Sequence, residues 1–313
     1  MESPTVLILL ATYNGEKFVR EMIDSVLNQD FDDIKIILSD DGSKDSTLDI
    51  LNEYAEKNPE KVTHYRSGLR FGCAQKHFMH LLKNFHNAPY IMFCDQDDVW
   101  HKDKIRLTLE KMKETEGEEK APALVHTDLR VVDGELNEIS PSFCKNSAID
   151  GNRVCLHQLL VQNVVTGCTM MINQPLANIA CSNEGGEDEM LMHDWWLAIL
   201  AAAVGKIAFL DKPTIDYRQH GNNSVGAKNI YSPSYLLSRL KGKSMRQALK
   251  NAAKQSGAFL KVFGGLLGAN QKELVADFAK TQKLSLFKRN AIYRKHKLYK
   301  NGFIRVVAQI LGI

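Results

Sequence analysis

The chain has 313 residues, is 44% hydrophobic and 25% charged, and carries a net charge of +3. This composition is ordinary for a soluble globular protein with a full core, and no run approaches the ~18 apolar residues of a spanning helix. The six cysteines, Cys73, Cys94, Cys144, Cys155, Cys168 and Cys181, form no C-x-x-C pair, so small buried thiols are expected instead of disulfides or a zinc site.

The N-terminus opens directly into Thr5–Leu10, strand-like and without a basic leader, which points to a cytoplasmic protein. Apolar runs rich in β-branched residues then alternate with segments of helical period. Thr5–Leu10, Ile34–Ser39, Val62–Arg66 and Tyr90–Cys94 read as strands, and Glu16–Asn28, Ser46–Asn58, Gly72–Asn84 and Lys102–Glu114 as helices. Such alternation predicts an α/β fold with a mainly parallel central sheet flanked by helices. Two further strands, Ala123–His126 and Leu129–Val132, precede a polar, turn-rich stretch over Asp133–Asn152 that reads as a long loop beside the substrate. A helix near Arg153–Val161, a strand near Cys168–Ile172, a helix near Glu187–Ala203 and a strand Lys206–Leu210 follow, and Pro213–Ala227 reads as an irregular loop closing the globular domain.

Charge divides the chain. Residues 229–313 hold 17 Lys and Arg against two acids, Glu273 and Asp277, whereas the remainder holds 23 against 35. The division predicts a domain over 1–227 and a basic, amphipathic helical region over 228–313. In that region Leu236, Leu237 and Leu240 form one apolar set, and Ala258, Phe259, Val262, Phe263, Leu266 and Leu267 another. Basic residues interleaved with large apolar ones fit an interfacial helix on anionic lipid. Helices packed on the catalytic domain, with a solvated basic face, are the alternative. Nucleic acid is not expected as a partner, because no base-reading module accompanies the charge.

Four segments carry candidate chemistry. Asp95-Gln96-Asp97-Asp98 follows the apolar run Tyr90–Cys94, where a buried strand should emerge into a cleft. Carboxylates so closely packed raise one another's pKa unless a cation or basic partner neutralises them, so the tetrad reads as a hard-cation site or as an acidic turn before the next helix. Ala11–Glu16 offers an aromatic ring and small polar groups suited to a base, or a helix cap through Thr12 or Asn14. Ser39-Asp40-Asp41-Gly42-Ser43 offers an acceptor for a base N–H or ribose hydroxyl, or an ordinary turn. The fourth is His193-Asp194-Trp195-Trp196.

With Ser25–Gln29 and the D-x-D motif Asp95-Gln96-Asp97, these segments resemble glycosyltransferase family 2, the inverting nucleotide-sugar transferases of GT-A fold, over about residues 4–225. Gln96–Trp100 and Tyr217–Gly221 look most like rhamnosyltransferases of bacterial polysaccharide assembly. The resemblance implies that Tyr13 and Asp40 hold a pyrimidine base with Thr12 and Glu16 nearby. It places Asp95 and Gln96 at the nucleotide-sugar, Arg70 at the diphosphate, and Asp97 on Mg²⁺ or Mn²⁺. Asp194 would be the general base, and His220 a further metal ligand or a phosphate contact. Thr166, Gly167 and Trp195 would line the acceptor side, with Trp196 as wall or core. One departure matters: relatives carry Asn where this chain has His77, so that contact does not transfer.

The expected reaction is therefore inverting, metal-dependent transfer of a sugar, first L-rhamnose from dTDP-L-rhamnose, to a lipid-linked saccharide. A UDP-hexose or UDP-N-acetylhexosamine donor is the alternative. The expected location is peripheral, on the inner face of the cell membrane. Two other classes fit less well. A sugar nucleotidyltransferase should carry a Gly-rich basic loop after the first strand, which Ala11–Glu16 lacks, and a non-catalytic membrane-bound protein has no need of Asp97 and Asp194.

Overall fold

The computed structural model describes residues 4–219 and 243–312. The first half is β1 (Val6–Thr12), α1 (Val19–Leu27), β2 (Ile34–Asp40), α2 (Thr47–Lys57), β3 (Val62–His64), α3 (Ala74–Asn84) and β4 (Tyr90–Cys94). The strands are buried because both sheet faces are covered, as continuous apolar runs require in a parallel sheet. Helix α1 shows how the helices cover them: Val19, Met22, Ile23 and Val26, spaced as one helical stripe, are its buried residues.

The second half adds β5 (Val99–Trp100), α4 (Lys104–Glu116), β6 (Ala123–Val132), β7 (Glu138–Ser140), α5 (Phe143–Asn146), α6 (Leu156–Leu159), β8 (Met171–Asn173), α7 (Gln174–Cys181), α8 (His193–Val204) and β9 (Lys206–Arg218). The nine-stranded sheet runs β3-β2-β1-β4-β8-β6-β9-β5, with β7 paired to β6. Strands β3, β2, β1 and β4 are parallel neighbours, while β8 lies antiparallel between β4 and β6. Thr12 pairs with Asp40, and Leu10 with Cys94, so the carboxyl ends of β1, β2 and β4 share one sheet edge. That edge is where open α/β sheets bind ligands.

Several expected boundaries moved for local reasons. The two strands expected over 123–132 are one strand, and β9 continues to Arg218 through the stretch from Pro213 that reads as irregular. Pro213 is accommodated because the β6–β9 register shifts beside its partner Asp128, where a residue without an N–H interrupts little. The long loop contains β7 and α5, and the helix expected from Glu187 begins only at His193. His220, the Gly/Asn-rich segment after it, the Leu236, Leu237 and Leu240 set and the expected boundary at 227 lie outside the described residues.

The C-terminal helices are α9 (Lys243–Phe263), α10 (Ala269–Lys280), α11 (Leu286–His296) and α12 (Phe303–Leu311). Met245, Leu249, Ala252, Phe259 and Phe263 of α9 join the hydrophobic cluster that contains Leu197 and Leu200 of α8. Trp196, 3% exposed, meets the Phe259 and Phe263 rings at centroid distances of 5.5 and 5.7 Å. Much of the basic region is thus core. Phe259→Ala is expected to lower stability by about 3–5 kcal/mol, read as a lower urea midpoint, and an unchanged midpoint would show that α9 does not support the sheet. Among the described residues no helix is long and apolar enough to cross a membrane.

Candidate active site

The loops after β1 and β2 are hydrogen-bonded into a single double loop. Thr12 Oγ1 donates to Asp40 Oδ2 at 2.8 Å, and Asp40 Oδ1 accepts from the Gly42 and Ser43 amides at 2.9 and 2.7 Å. The Asn14 amide donates to Ser43 Oγ at 2.7 Å, the Gly15 amide to Thr47 Oγ1 at 2.8 Å and the Glu16 amide to Asp45 Oδ2 at 3.1 Å. Glu16 Oε2 in turn accepts from the Ser46 amide at 3.0 Å, so its carboxylate serves the start of α2. Among these side chains Tyr13 faces outward, its ring 54% exposed.

Gln96 fastens this loop to the acidic tetrad. Its Oε1 accepts from the Tyr13 amide at 2.8 Å and its Nε2 donates to the Tyr13 carbonyl at 3.0 Å. Gly15 lies close beneath it, and a Cβ there, 2.3 Å from Gln96 Oε1, would push the amide aside. The amide therefore positions the aromatic ring through its backbone. Gln96→Ala is expected to weaken nucleotide affinity about tenfold, a loss of roughly 1–2 kcal/mol for two hydrogen bonds; unchanged affinity by titration calorimetry would remove that role.

Arg70 lies over the β2 loop, where Gly42, at φ +85°, is packed against its guanidinium. Asp41 accepts from the Phe71 and Gly72 amides and so ties the Arg70 segment to β2. His77 is buried, its Nε2 2.8 Å from Ser39 Oγ and its ring stacked 4.7 Å from Phe71. Burial lowers its pKa to about 4, so it braces the fold as a neutral ring.

The tetrad is a charged cluster held in low dielectric. Burial, then the neighbouring Asp97 and Asp194 carboxylates, raise Asp95 to about 7. Asp98, 1% exposed, is raised well above the usual range by burial and by Asp97 and Asp95. Its Oδ1 accepts from the Arg218 amide at 3.0 Å, and the Cys168 thiol stands against the same carboxylate. Ligand atoms of Asp95, Asp98 and Cys168 lie within 4.8 Å of one another. Burial keeps the Cys168 thiol protonated, so carboxylate oxygens are the hard-cation donors here.

Arg218, 2% exposed, holds the cluster from behind. Its Nε donates to the Asp97 carbonyl at 2.9 Å, its Nη1 to the Gly134 carbonyl at 2.6 Å and its Nη2 to Glu21, with its guanidinium over the Phe18 ring. Arg218 does not stand out in the sequence as a site residue, its signal being only a basic residue inside Tyr217–Gly221, whereas Asp98 belongs to the tetrad already read as a cation site.

Asp194 sits in the first turn of α8, 7% exposed, where Oδ2 accepts from the Gly167 amide at 2.9 Å and Oδ1 from Asn163 Nδ2 at 3.0 Å. Asn163 is itself fixed by both backbone groups of Val165. Burial raises Asp194 to about 7, opposed by its hydrogen bonds with Trp195, Gly167 and Asn163. Gly167 has no room for a side chain, because a Cβ would stand 2.8 Å from His193 Nε2. The His193 ring is wedged between Phe78 and Phe93, and burial lowers its pKa to about 3. Thr166 flanks this turn, and the Trp195 indole N–H donates to the Leu159 carbonyl at 2.6 Å. Thus Thr12, Tyr13, Asp40, Arg70, Asp95, Gln96 and Asp97 converge on one sheet edge, and the charge of Asp194 reaches Asp95.

Residues 7–134 match the model of Glycosyl transferase family 2. The chain is 31% identical over 233 residues to the dTDP-rhamnosyl transferase RfbG of Shigella flexneri, covering 72% of this chain and 76% of that protein. Among solved structures, S. aureus TarS 1-349 in complex with UDP superposes with a TM-score of 0.56 at 16% identity, over 90% of this chain and 73% of that one. The mannosyltransferase PcManGT of Pyrobaculum calidifontis, in complex with GDP-Man and Mn2+, superposes at 0.55 and 12% identity, over 99% and 87%. The structural likeness gives the GT-A fold, the sequence likeness gives the kinship, and on both the chain is a glycosyltransferase that belongs to family 2.

Proposed function

We propose that this chain is an inverting, metal-dependent enzyme that moves L-rhamnose from dTDP-L-rhamnose to a lipid-linked saccharide at the inner face of a bacterial membrane. The observation that carries the reading is the buried Asp194, fixed by the Gly167 amide and Asn163 and raised to about 7, whose charge reaches Asp95 of the tetrad. One carboxylate is poised near neutrality to take a proton beside others that suit a donor diphosphate. The 31% identity to a dTDP-rhamnosyl transferase supports the donor.

In this mechanism the exposed Tyr13 ring stacks on the pyrimidine and Asp40, already braced by Thr12 and Ser43, orients toward its N–H. Asp95 meets the ribose and Arg70 the diphosphate. Asp97, with Asp95 and Asp98, would hold Mg²⁺ or Mn²⁺; the mutual repulsion of these closely set acids fits a divalent cation. When bound, the cation offsets the charge developing on the departing nucleoside diphosphate. The acceptor hydroxyl, against Thr166 and Trp195, attacks the anomeric carbon from the face opposite the diphosphate. The carbon–oxygen bond to the phosphate breaks, its electron pair leaves on the phosphate oxygen, and Asp194 takes the hydroxyl proton. Attack from that face inverts the configuration.

A thermal-shift panel of dTDP-L-rhamnose, UDP-glucose, UDP-N-acetylglucosamine and GDP-mannose, with and without Mn²⁺, tests this, because a ligand that binds only the folded state stabilises it by mass action. The expected result is a Mn²⁺-dependent shift with the dTDP-sugar that Asp97→Ala abolishes. A shift only with another donor would overturn the rhamnose assignment, and a Mn²⁺ response unchanged in Asp97→Ala would overturn the metal role.

A further inference from the structure

The last helix is turned inside out. In α12, Phe303 is 83% exposed, Ile304 69%, Val307 37%, Ile310 40% and Leu311 54%, positions that form one continuous helical stripe. Its inward side, where Ala308 meets the core, is anchored by polar groups. Gln309 is buried, donating to the Leu298 carbonyl at 2.7 Å and accepting from the Lys300 amide at 3.0 Å, and Arg305 donates to the Ser147 and Ala148 carbonyls at 2.6 and 2.8 Å. A globular protein ordinarily buries such a stripe; here docking through polar groups holds it outward. Helix α11 extends the patch. Asn290 Nδ2 donates to the Ile310 carbonyl at 2.8 Å, a Cβ at Gly312 would lie 3.0 Å from Leu286, and the adjacent Phe287 is 86% exposed.

We infer that this face, Phe287 with the outward stripe of α12, is the surface by which the protein lies on an anionic bilayer, α12 running in the membrane plane. The assignment deepens the membrane-face reading above and rests on it. Charge selects the occupant. After Asp277 the sequence holds nine Lys and Arg and no acid, and Lys283, Lys288, Arg294 and Lys297 are exposed. A second copy meeting the same face would oppose like charges, whereas acidic headgroups complement them and acyl chains receive the phenylalanines. The assignment also relocates the contact: α9, the longest described helix of the basic region, has its apolar face spent on the core.

The test is co-sedimentation of the full chain with phosphatidylcholine vesicles, with and without phosphatidylglycerol, at low salt. The wild type is expected to bind the anionic vesicles and to be released by salt. Phe287→Ser with Phe303→Ser is expected to lower partitioning about a hundredfold by removing two insertable rings, with transfer to a water-soluble acceptor unchanged. Equal partitioning of the double variant, or no binding by the wild type, would overturn the inference. So would a wild-type dimer that the variant converts to monomer, since a second copy would then cover the face. Vesicle binding without any nucleotide-sugar turnover would instead sink the catalytic reading and leave the surface standing.

Discussion

Asp194→Asn is expected to lower kcat by about 10²–10⁴-fold, the usual contribution of a positioned general base, while leaving donor affinity and fold intact. The amide keeps the shape of the carboxylate, and its oxygen retains an acceptor for the Gly167 N–H or the Asn163 side chain. What it loses is the capacity to take a proton. Because burial raises Asp194 to about 7, the wild-type rate should climb with pH through that value as the base ionises. The acid limb should disappear in the variant. A variant with near-normal turnover, or with the same limb, would place the base elsewhere and leave Asp194 a helix N-terminal acid.

The second large effect concerns stability without metal. Asp95 and Asp194 stand at about 7 against an ordinary value of 3.8, and Asp98 is raised as well. Between those values the folded state binds more protons than the unfolded one at these acids, so their contribution to stability falls as pH rises through the window and is lowest above about 7. Acids with lowered pKa act elsewhere: Asp216, beside His101 and Arg130, and Asp277, beside His296 and Lys295, stand at about 2 and lose their contribution only as pH falls toward that value. The buried histidines His77, His126 and His193, lowered to about 4, 4 and 3, act oppositely, since the unfolded state binds their protons as pH falls below the ordinary 6.5. The acids are therefore isolated by difference: in a chelating buffer Asp95→Asn is expected to raise the melting temperature over the wild type by more at about pH 8 than at about pH 5. Added Mn²⁺ should stabilise the wild type more at the higher pH, where the carboxylates are ionised and free to bind it. A variant difference that does not grow across this window, or a Mn²⁺ effect independent of pH, would show that the tetrad is neutralised by other means.

The donor half of the site was legible because its residues follow strands directly. A buried run ending in Asp95, or in Thr12, fixes where the next side chains emerge, since parallel strands deliver their carboxyl ends to one edge. The other half depends on chain that does not announce itself. Asn163, Thr166 and Gly167 lie in short irregular turns, and the β8 that positions them inserts antiparallel between distant strands, a long-range pairing without local signature. Gln96 and Glu16 show a related limit. Their types suit a ligand, yet backbone amides and a carbonyl of the protein itself take them, and the sequence does not say which partner arrives first. In the basic region α9 and α12 both carry an apolar stripe, but only docking reveals that one turns it inward and the other outward.

The bracing of the β1 and β2 loops has a consequence for redesign. Residues 12–16 and 40–47 exchange hydrogen bonds at nearly every step, so neither loop keeps its shape once the other is replaced. A graft aimed at the proposed nucleobase contact would have to carry both loops and Gln96 together, as one transplantable unit.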